Sequence, residues 1–481
     1  MINDFLLMVV ISLFTFLWIG KSFKRVVLFL AFFLPFEEFI LKFMPVSDEL
    51  YSLLRYGSEL LLLITLIVLI FKKIVEKRPF VKTPVDLPVL LFACSAFLSG
   101  LLNQISLLEI ALFLRIVLRY YALYFIVVNI DLDIEFAKKL IKGLIAIAVF
   151  QFSLGLAQVF IGEPINKILM PRPTTLTVGS YAAKKWLILE GLREKGHLVF
   201  GTFGDTVNLG LFILIVLVLV TAIFLITQKN KEKFWLFLII GFFILCSTYS
   251  VGLVFTFMVV LLFMVFLVKR WGMLGFCGFL VGGVILMAFT YRTEPFSLIA
   301  SNAPISPLEN LGIIFSGKAW EVAKTNRLFT FFEVPSVIFS HSPLLGFGPN
   351  WSTVKDRIAG GYFLGDVYWS QILAQVGLIG LGSLLLIFYK FYKVSADIYK
   401  NCSDFLSKSL GLGFMGILVG VFLYDFVGPA LEVRPLAFYF WLFGGLVTSR
   451  WLSIKNSQGD LSPAQIAPLK TRLVFSREEK R

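Results

Sequence analysis

Arg115 and Arg119 stand four apart in the stretch IALFLRIVLRYYALYF. Read as one helix, that spacing puts both guanidiniums on the same face. A helix starting near Ser106 would carry Arg115 about 13 Å along its axis, deep in an apolar segment. A charge at such depth in a bilayer costs on the order of several kcal/mol, so it needs a partner or a wet cavity. Two guanidiniums can grip a diphosphate through bidentate hydrogen bonds. They can equally serve as structural partners of Glu109 or another buried acid. Arg55 and Glu59, also four apart, read as a plain helix pair.

The two histidines are His197 and His341. His341 opens HSPLLGFGPNWS, where Gly346 and Gly348 allow positive φ and close approach of backbone to a ligand. Arg327 precedes this turn in NRLFTFFEVPSVIFS. The plainer alternative for the whole stretch is a helix stop with a snorkelling arginine. His197 opens HLVFGTFGDTVNLG, in which Gly201 and Gly204 permit a tight turn and Asp205 or Asn208 can cap the following helix. A third stretch, GDVYWSQILAQVGLIGL, places Asp366 at the start of a helix, with Trp369, Gln371 and Gln375 at the same end. An N-cap is expected at Asp366 and an interfacial belt position at Trp369. A single histidine beside a turn is often only a hydrogen-bonding residue. Cys94, Cys246, Cys277 and Cys402 form no CxxC pair, which disfavours disulfide and zinc frameworks. No metal site and no cofactor is expected.

These residues must be positioned by helices in a bilayer. Hydrophobic residues fill 58% of the 481 positions and charged ones 15%, against about 25% charged in a soluble domain. The net charge of +14 is better explained by basic loops on one side of a membrane than by nucleic-acid binding. Apolar runs of spanning length fall near 4–20, 25–44, 54–71, 86–102, 106–129, 137–161, 207–227, 233–248, 250–268, 271–290, 368–389, 409–426 and 434–449. The second is the weakest, because Pro35, Glu37 and Glu38 interrupt it. The N-terminus lacks a basic n-region and a convincing cleavage site, so the first span is expected to stay. The predicted fold is an all-α polytopic transmembrane helical bundle of about 12–13 spans, with a large, partly helical outer loop. Basic clusters such as KSFKR at 21–25, KKIVEKRPFVK at 72–82 and KNKEK at 229–233 fall on every second connection. That alternation predicts a cytoplasmic C-terminus and places loops 162–206 and 291–367 outside. The expected organisation is helices over 1–290, the large outer loop over 291–367, helices over 368–449 and a basic cytoplasmic tail over 450–481.

Taken together, Arg327 with SPLLGFG, then DVYWSQILAQVGLIGL, and earlier GTFGDTVNLG resemble the O-antigen ligase and polysaccharide polymerase superfamily of bacterial membrane proteins. In that family an arginine and an "hPllGvG" segment in a large outer loop precede "HN-x-yL…GliGL" at the next span, and "GtF-x-x-pN-x-la" starts a middle span. Counting back from Gly377, the position where the family's ligases carry histidine holds Asp366, as in many of its polymerases. His341 lies earlier and does not match. The family's other arginine usually stands just before "GtF"; Leu198 occupies that place here, with His197 and Arg193 nearby. The "SR" dipeptide after a middle span is missing, since Val251 follows Ser250.

The resemblance implies metal-independent polymerisation of lipid-linked oligosaccharide repeat units. A glycan passes from polyprenyl diphosphate to a sugar hydroxyl on the outer face of the bacterial inner membrane. It implies Asp366 as base, with His341 or His197 as runner-up, and Arg327 on the diphosphate. Arg193, Arg115, Arg119, Asn208, Gly346, Gly348 and Trp369 join as substrate-binding candidates. The partners implied are the polyprenyl-diphosphate-linked oligosaccharide, the lipid bilayer, a flippase and a chain-length regulator. A ligase delivering the glycan to a lipid core is one alternative. A transporter or flippase for a lipid-linked or anionic solute is another.

Overall fold

In the computed structural model the described residues are 22–44, 47, 50–51, 54–130, 132–170, 199–227, 231–248, 250–269, 334–350, 354 and 367–458. Among them the chain is all-α, with turns and no strand. The helices are α1 Phe23–Phe33, α2 Glu37–Lys42, α3 Gly57–Val75, α4 Asp86–Leu102, α5 Leu107–Val117, α6 Tyr121–Asn129, α7 Ile134–Ile161 and α8 Glu163–Leu169. They continue as α9 Thr206–Ile226, α10 Lys231–Ser247, α11 Val251–Lys269, α12 at residues 334–341, α13 Tyr368–Asn401, α14 Phe405–Tyr424 and α15 Arg434–Gln458. Four of them, α7, α9, α13 and α14, are long and apolar enough to cross a membrane, and α5 with α6 would count as a fifth. The molecule is a polytopic helical membrane protein. The runs expected at 4–20 and 271–290 lie outside the described residues, as do 171–198, 270–333 and 459–481.

Polar residues set where these helices begin. Ser106 and Glu109 form a capping box at α5, Asp133 accepts from the Phe136 N–H at α7, and Asp404 accepts from the Ser407 N–H at α14. Each satisfies N–H groups that a helix start leaves without partners. The expected weak span over 25–44 is indeed broken: Pro35 lies in a 3-10 turn, Leu34–Phe36, between α1 and α2. Arg55 does not need Glu59 as its partner. It lies in the turn before α3 and reaches Glu38, with Nη2–Oε1 at 2.8 Å. The expected span over 106–129 is interrupted after Val117, and Arg119 falls in the interruption. Arg115 and Arg119 therefore do not share one helix face.

The described helices group into two compact units, each built from separated stretches of chain. In the first (residues 1–81, 120–216 and 441–481), α1 packs on α7 and α3 on α6. Lys73 of α3 and the Val81 N–H both donate to Asn129 Oδ1, at 2.8 and 3.0 Å. The buried Lys73 ammonium also donates to the Pro79 carbonyl at 3.2 Å.

The second unit, residues 82–119 and 217–440, is organised around a break in α13. Gly377 sits inside that helix at φ 66°, ψ −167°, about 14 Å along the axis from Tyr368. A broken helix at membrane depth leaves N–H and C=O groups that lipid cannot satisfy. Residues 343–348 satisfy them. The Phe347 and Gly348 N–H groups donate to the Ala374 and Gln375 carbonyls at 2.7 and 3.1 Å. In return the Leu378 and Ile379 N–H groups donate to the Pro343 and Leu344 carbonyls at 2.9 and 3.1 Å. The fit admits no side chain on either partner. A Cβ on Gly346 would meet the Ala374 oxygen at 2.6 Å, and one on Gly377 would collide with the Leu344 carbonyl. From α4, Ser99 Oγ donates to the Gln375 carbonyl at 2.8 Å and Asn103 Nδ2 to the Gly346 carbonyl at 3.3 Å. Val334, Ile338, Phe347, Leu373 and Ala374 close over the junction as a buried cluster.

Alanine at Gly377 or Gly346 should therefore lower the unfolding temperature of the purified protein, at a cost of about 2 kcal/mol or more. Gly382→Ala is the control on the same helix, since its added Cβ meets nothing within 4 Å. It should leave the thermal melt unchanged or slightly higher.

Candidate functional site

Beside the junction lies an open cleft of about 640 Å³, lined by Leu102, Asn103, His341, Ser342, Leu344 and Phe347 among others. Its walls are mostly apolar, with a few polar atoms at the rim. His341 ends α12 and is exposed there. Its Nδ1 lies 3.0 Å from the Val337 carbonyl and 2.8 Å from Ser340 Oγ. A proton on Nδ1 donated to Val337 leaves Nε2 as the basic nitrogen. His341 lines the cleft with that nitrogen unclaimed by the two Nδ1 contacts.

The other candidates are distributed as follows. Gly346 and Gly348 are buried in the junction. Their small size is required by the Ala374 carbonyl and by Ile105 and Asn103 respectively. Trp369 is buried, and its indole N–H donates to the Phe422 carbonyl at 3.1 Å. Its ring lies among Phe388, Phe422 and Phe426, so it joins α13 to α14. Arg115 is exposed on α5, and Arg119 is half-buried beyond that helix. Glu109, one partner considered for the arginines, instead closes the capping box and accepts from Asn350 Nδ2 at 2.6 Å. Arg119 acts electrostatically on Glu432. Asp366, Arg327, His197 and Arg193 lie outside the described residues. The N-cap of α13 is Val367, whose side chain makes no cap bond.

GTFGD belongs to the first unit, where Asn208 also lies. Two glutamines seven apart on α7 hold it. Gln158 Oε1 accepts from the Phe200 and Gly201 N–H groups at 3.2 and 2.8 Å, while its amide donates to Asn166 at 2.9 Å. Gln151 exchanges two bonds with Thr202, its amide donating to the hydroxyl at 2.6 Å. Both glutamines have no exposed surface. Gly204 then turns the chain at φ 67°, and Asp205 Oδ1 caps α9 by accepting from Val207 and Asn208 N–H groups.

No protein-family model and no curated protein matches this sequence.

Sequence reasoning passed over the most buried acids of the second unit. Asp425 has no exposed surface and Glu432 is half-buried. Burial pushes the Glu432 carboxyl up to about 7, against the lowering pull of Arg119. The signal was present in YDFVGPALEVRP, where two acids interrupt an otherwise apolar C-terminal region. Gln151 and Gln158 were likewise legible as polar residues at a seven-residue spacing inside a predicted span.

Gln158→Leu would strip the acceptor from two buried N–H groups, each worth about 1–3 kcal/mol when left unmet. It should lower the thermal midpoint by several degrees. Asp205→Asn should be tolerated and Asp205→Ala should cost about 1 kcal/mol, both read from thermal unfolding in detergent.

Proposed function

We propose that the chain is a membrane glycosyltransferase that polymerises lipid-linked oligosaccharide repeat units on the outer face of a bacterial inner membrane. The observation that carries this reading is the junction between SPLLGFG and QVGLIGL. These are two of the stretches on which the resemblance to O-antigen ligases and polymerases rests, and they are halves of one bonded unit. Their co-occurrence thus has a structural cause, and an open cleft lies beside it.

In this reading the acceptor hydroxyl attacks the anomeric carbon of the donor glycan. The bond from that carbon to the polyprenyl diphosphate breaks, and the diphosphate leaves with the electron pair. Arg327 stabilises its growing charge, a task suited to a planar, bidentate donor, and Arg115 or Arg119 can add to it. Asp366, next to the N-cap of α13, takes the acceptor's proton. His341 at the cleft rim is the substitute for that role. A ligase would differ only in its acceptor, a lipid core in place of a second repeat unit.

Chain elongation by purified, reconstituted protein with chelator present tests the assignment. Asp366→Asn should lose about 10²–10⁴-fold in rate, and Arg327→Lys should fail nearly as badly as Arg327→Ala. Near-wild-type elongation by Asp366→Asn would move the proton to His341 or His197. The buried acids and the broken helix favour one second reading, transport of a lipid-linked or anionic solute. That reading needs no base, so following export separately from chain length in Asp366→Asn and Arg327→Ala discriminates: a transporter variant changes export and leaves chain length unchanged.

The sidedness is checked separately with an impermeant thiol reagent on intact cells. Ser342→Cys should label and Ser457→Cys should not; the reverse pattern places the cleft on the cytoplasmic side.

A further inference from the structure

Asp425 is the C-cap of α14 and is fully buried. A helix C-terminus is the negative end of the dipole, which disfavours a carboxylate there. Its Oδ1 accepts from the Ala430 N–H at 2.8 Å, and the Leu431 N–H also acts on the carboxyl. Its Oδ2 is buried with no hydrogen-bond partner. Tyr368 repeats the pattern at the start of α13. Its N–H donates to the Asp425 carbonyl at 2.9 Å, while its fully buried hydroxyl has no partner. That hydroxyl lies within the electrostatic reach of both Asp425 and Glu432. Glu432 closes the 3-10 turn Ala430–Glu432, and Arg119 acts on it from beyond α5. Tyr424 flanks the turn against Gly428, and Arg434 opens α15.

Two buried oxygen atoms without hydrogen-bond partners, one acidic and one phenolic, thus lie within the electrostatic reach of a second carboxyl. Simultaneous ionisation of both acids is opposed by burial and by their mutual repulsion. Arg119 offsets the charge of one.

We propose that Asp425, Glu432 and Tyr368 form a proton-binding site, in which Asp425 holds a proton on Oδ2 and Glu432, beside Arg119, exchanges one with the surroundings. Ionised, Asp425 would face a buried oxygen with no donor. Protonated, it carries no charge and leaves no buried anion without a donor. Glu432 is the exchanging member because a cation favours its ionised form. A carboxyl raised to about 7 keeps its proton below that pH and is ionised above it. The pair therefore holds two protons in mild acid and one in mild base. Hydroxyl attack on a glycan releases a proton and proton-driven transport carries one, so the site does not depend on which activity the chain has.

Infrared difference spectroscopy on the purified full-length protein, in water and heavy water, tests this without an activity assay. At about pH 8 the wild type should show a protonated-carboxyl stretch that shifts in heavy water and is absent from Asp425→Asn. A second such band should grow as pH falls through about 7 and be absent from Glu432→Gln. Tyr368→Phe, which keeps the backbone bond and the ring volume, should shift the first band without removing it. The proposal is overturned if the wild type has no protonated-carboxyl band at about pH 8. It is equally overturned if Glu432→Gln and Tyr368→Phe both leave the spectra unchanged, an outcome readable even where Asp425→Asn fails to fold.

Discussion

A helix broken inside a bilayer must find new partners for its backbone, and in the second unit that need is met in one place. Gly377 interrupts α13, and residues 343–348 return four main-chain hydrogen bonds to the exposed ends. Each side of the junction is shaped by a glycine of the other side's requirement: Gly377 clears the Leu344 carbonyl, and Gly346 clears the Ala374 carbonyl. Ser99 and Asn103 then tie α4 to the Gln375 and Gly346 carbonyls. The register of α4 against α13, the position of α12 and the shape of the cleft all follow from this one arrangement.

Polar chemistry is kept at two distinct places around that frame. His341 lies at the rim of the cleft, with one ring nitrogen committed to backbone and side-chain oxygen atoms. Asp425, Glu432 and Tyr368 lie where α13 starts and α14 ends, sealed from solvent to differing degrees. Trp369, next to Tyr368, joins α13 to α14 through its ring contact with Phe422 and its indole bond to the Phe422 carbonyl. Among the described residues, both sets thus lie at helix termini, where the backbone leaves polar groups to be met by other partners.

The first unit solves a related problem with side chains rather than backbone. The turn at Gly201–Phe203 has N–H groups that no helix receives, and Gln151 and Gln158 accept them from α7. An amide supplies a donor and an acceptor together, so one residue can serve the turn and a neighbour such as Asn166. The GTFGD stretch is thereby fixed without any buried charge.

The sequence by itself determined the elements whose causes are local. Apolar composition required a helical membrane protein, Pro35 broke the weak span over 25–44, and Asp205 capped α9. Each depends on interactions reaching only about four residues along the chain. Tertiary structure decided what depends on distant partners. The spacing of Arg115 and Arg119 promised a shared face, yet the chain leaves helical geometry after Val117 and assigns Arg119 to the neighbourhood of Glu432. Arg55 turned to Glu38 because it precedes α3 rather than lying within it. Gly346 and Gly348 were legible as flexible points, but the mutual fit of Gly346 and Gly377 was not, since a glycine records only the absence of a side chain. What fills the space at Gly346 and Gly377 is backbone about 30 residues away along the chain, and at Gly348 it is Ile105 and Asn103; only the folded chain brings these partners together.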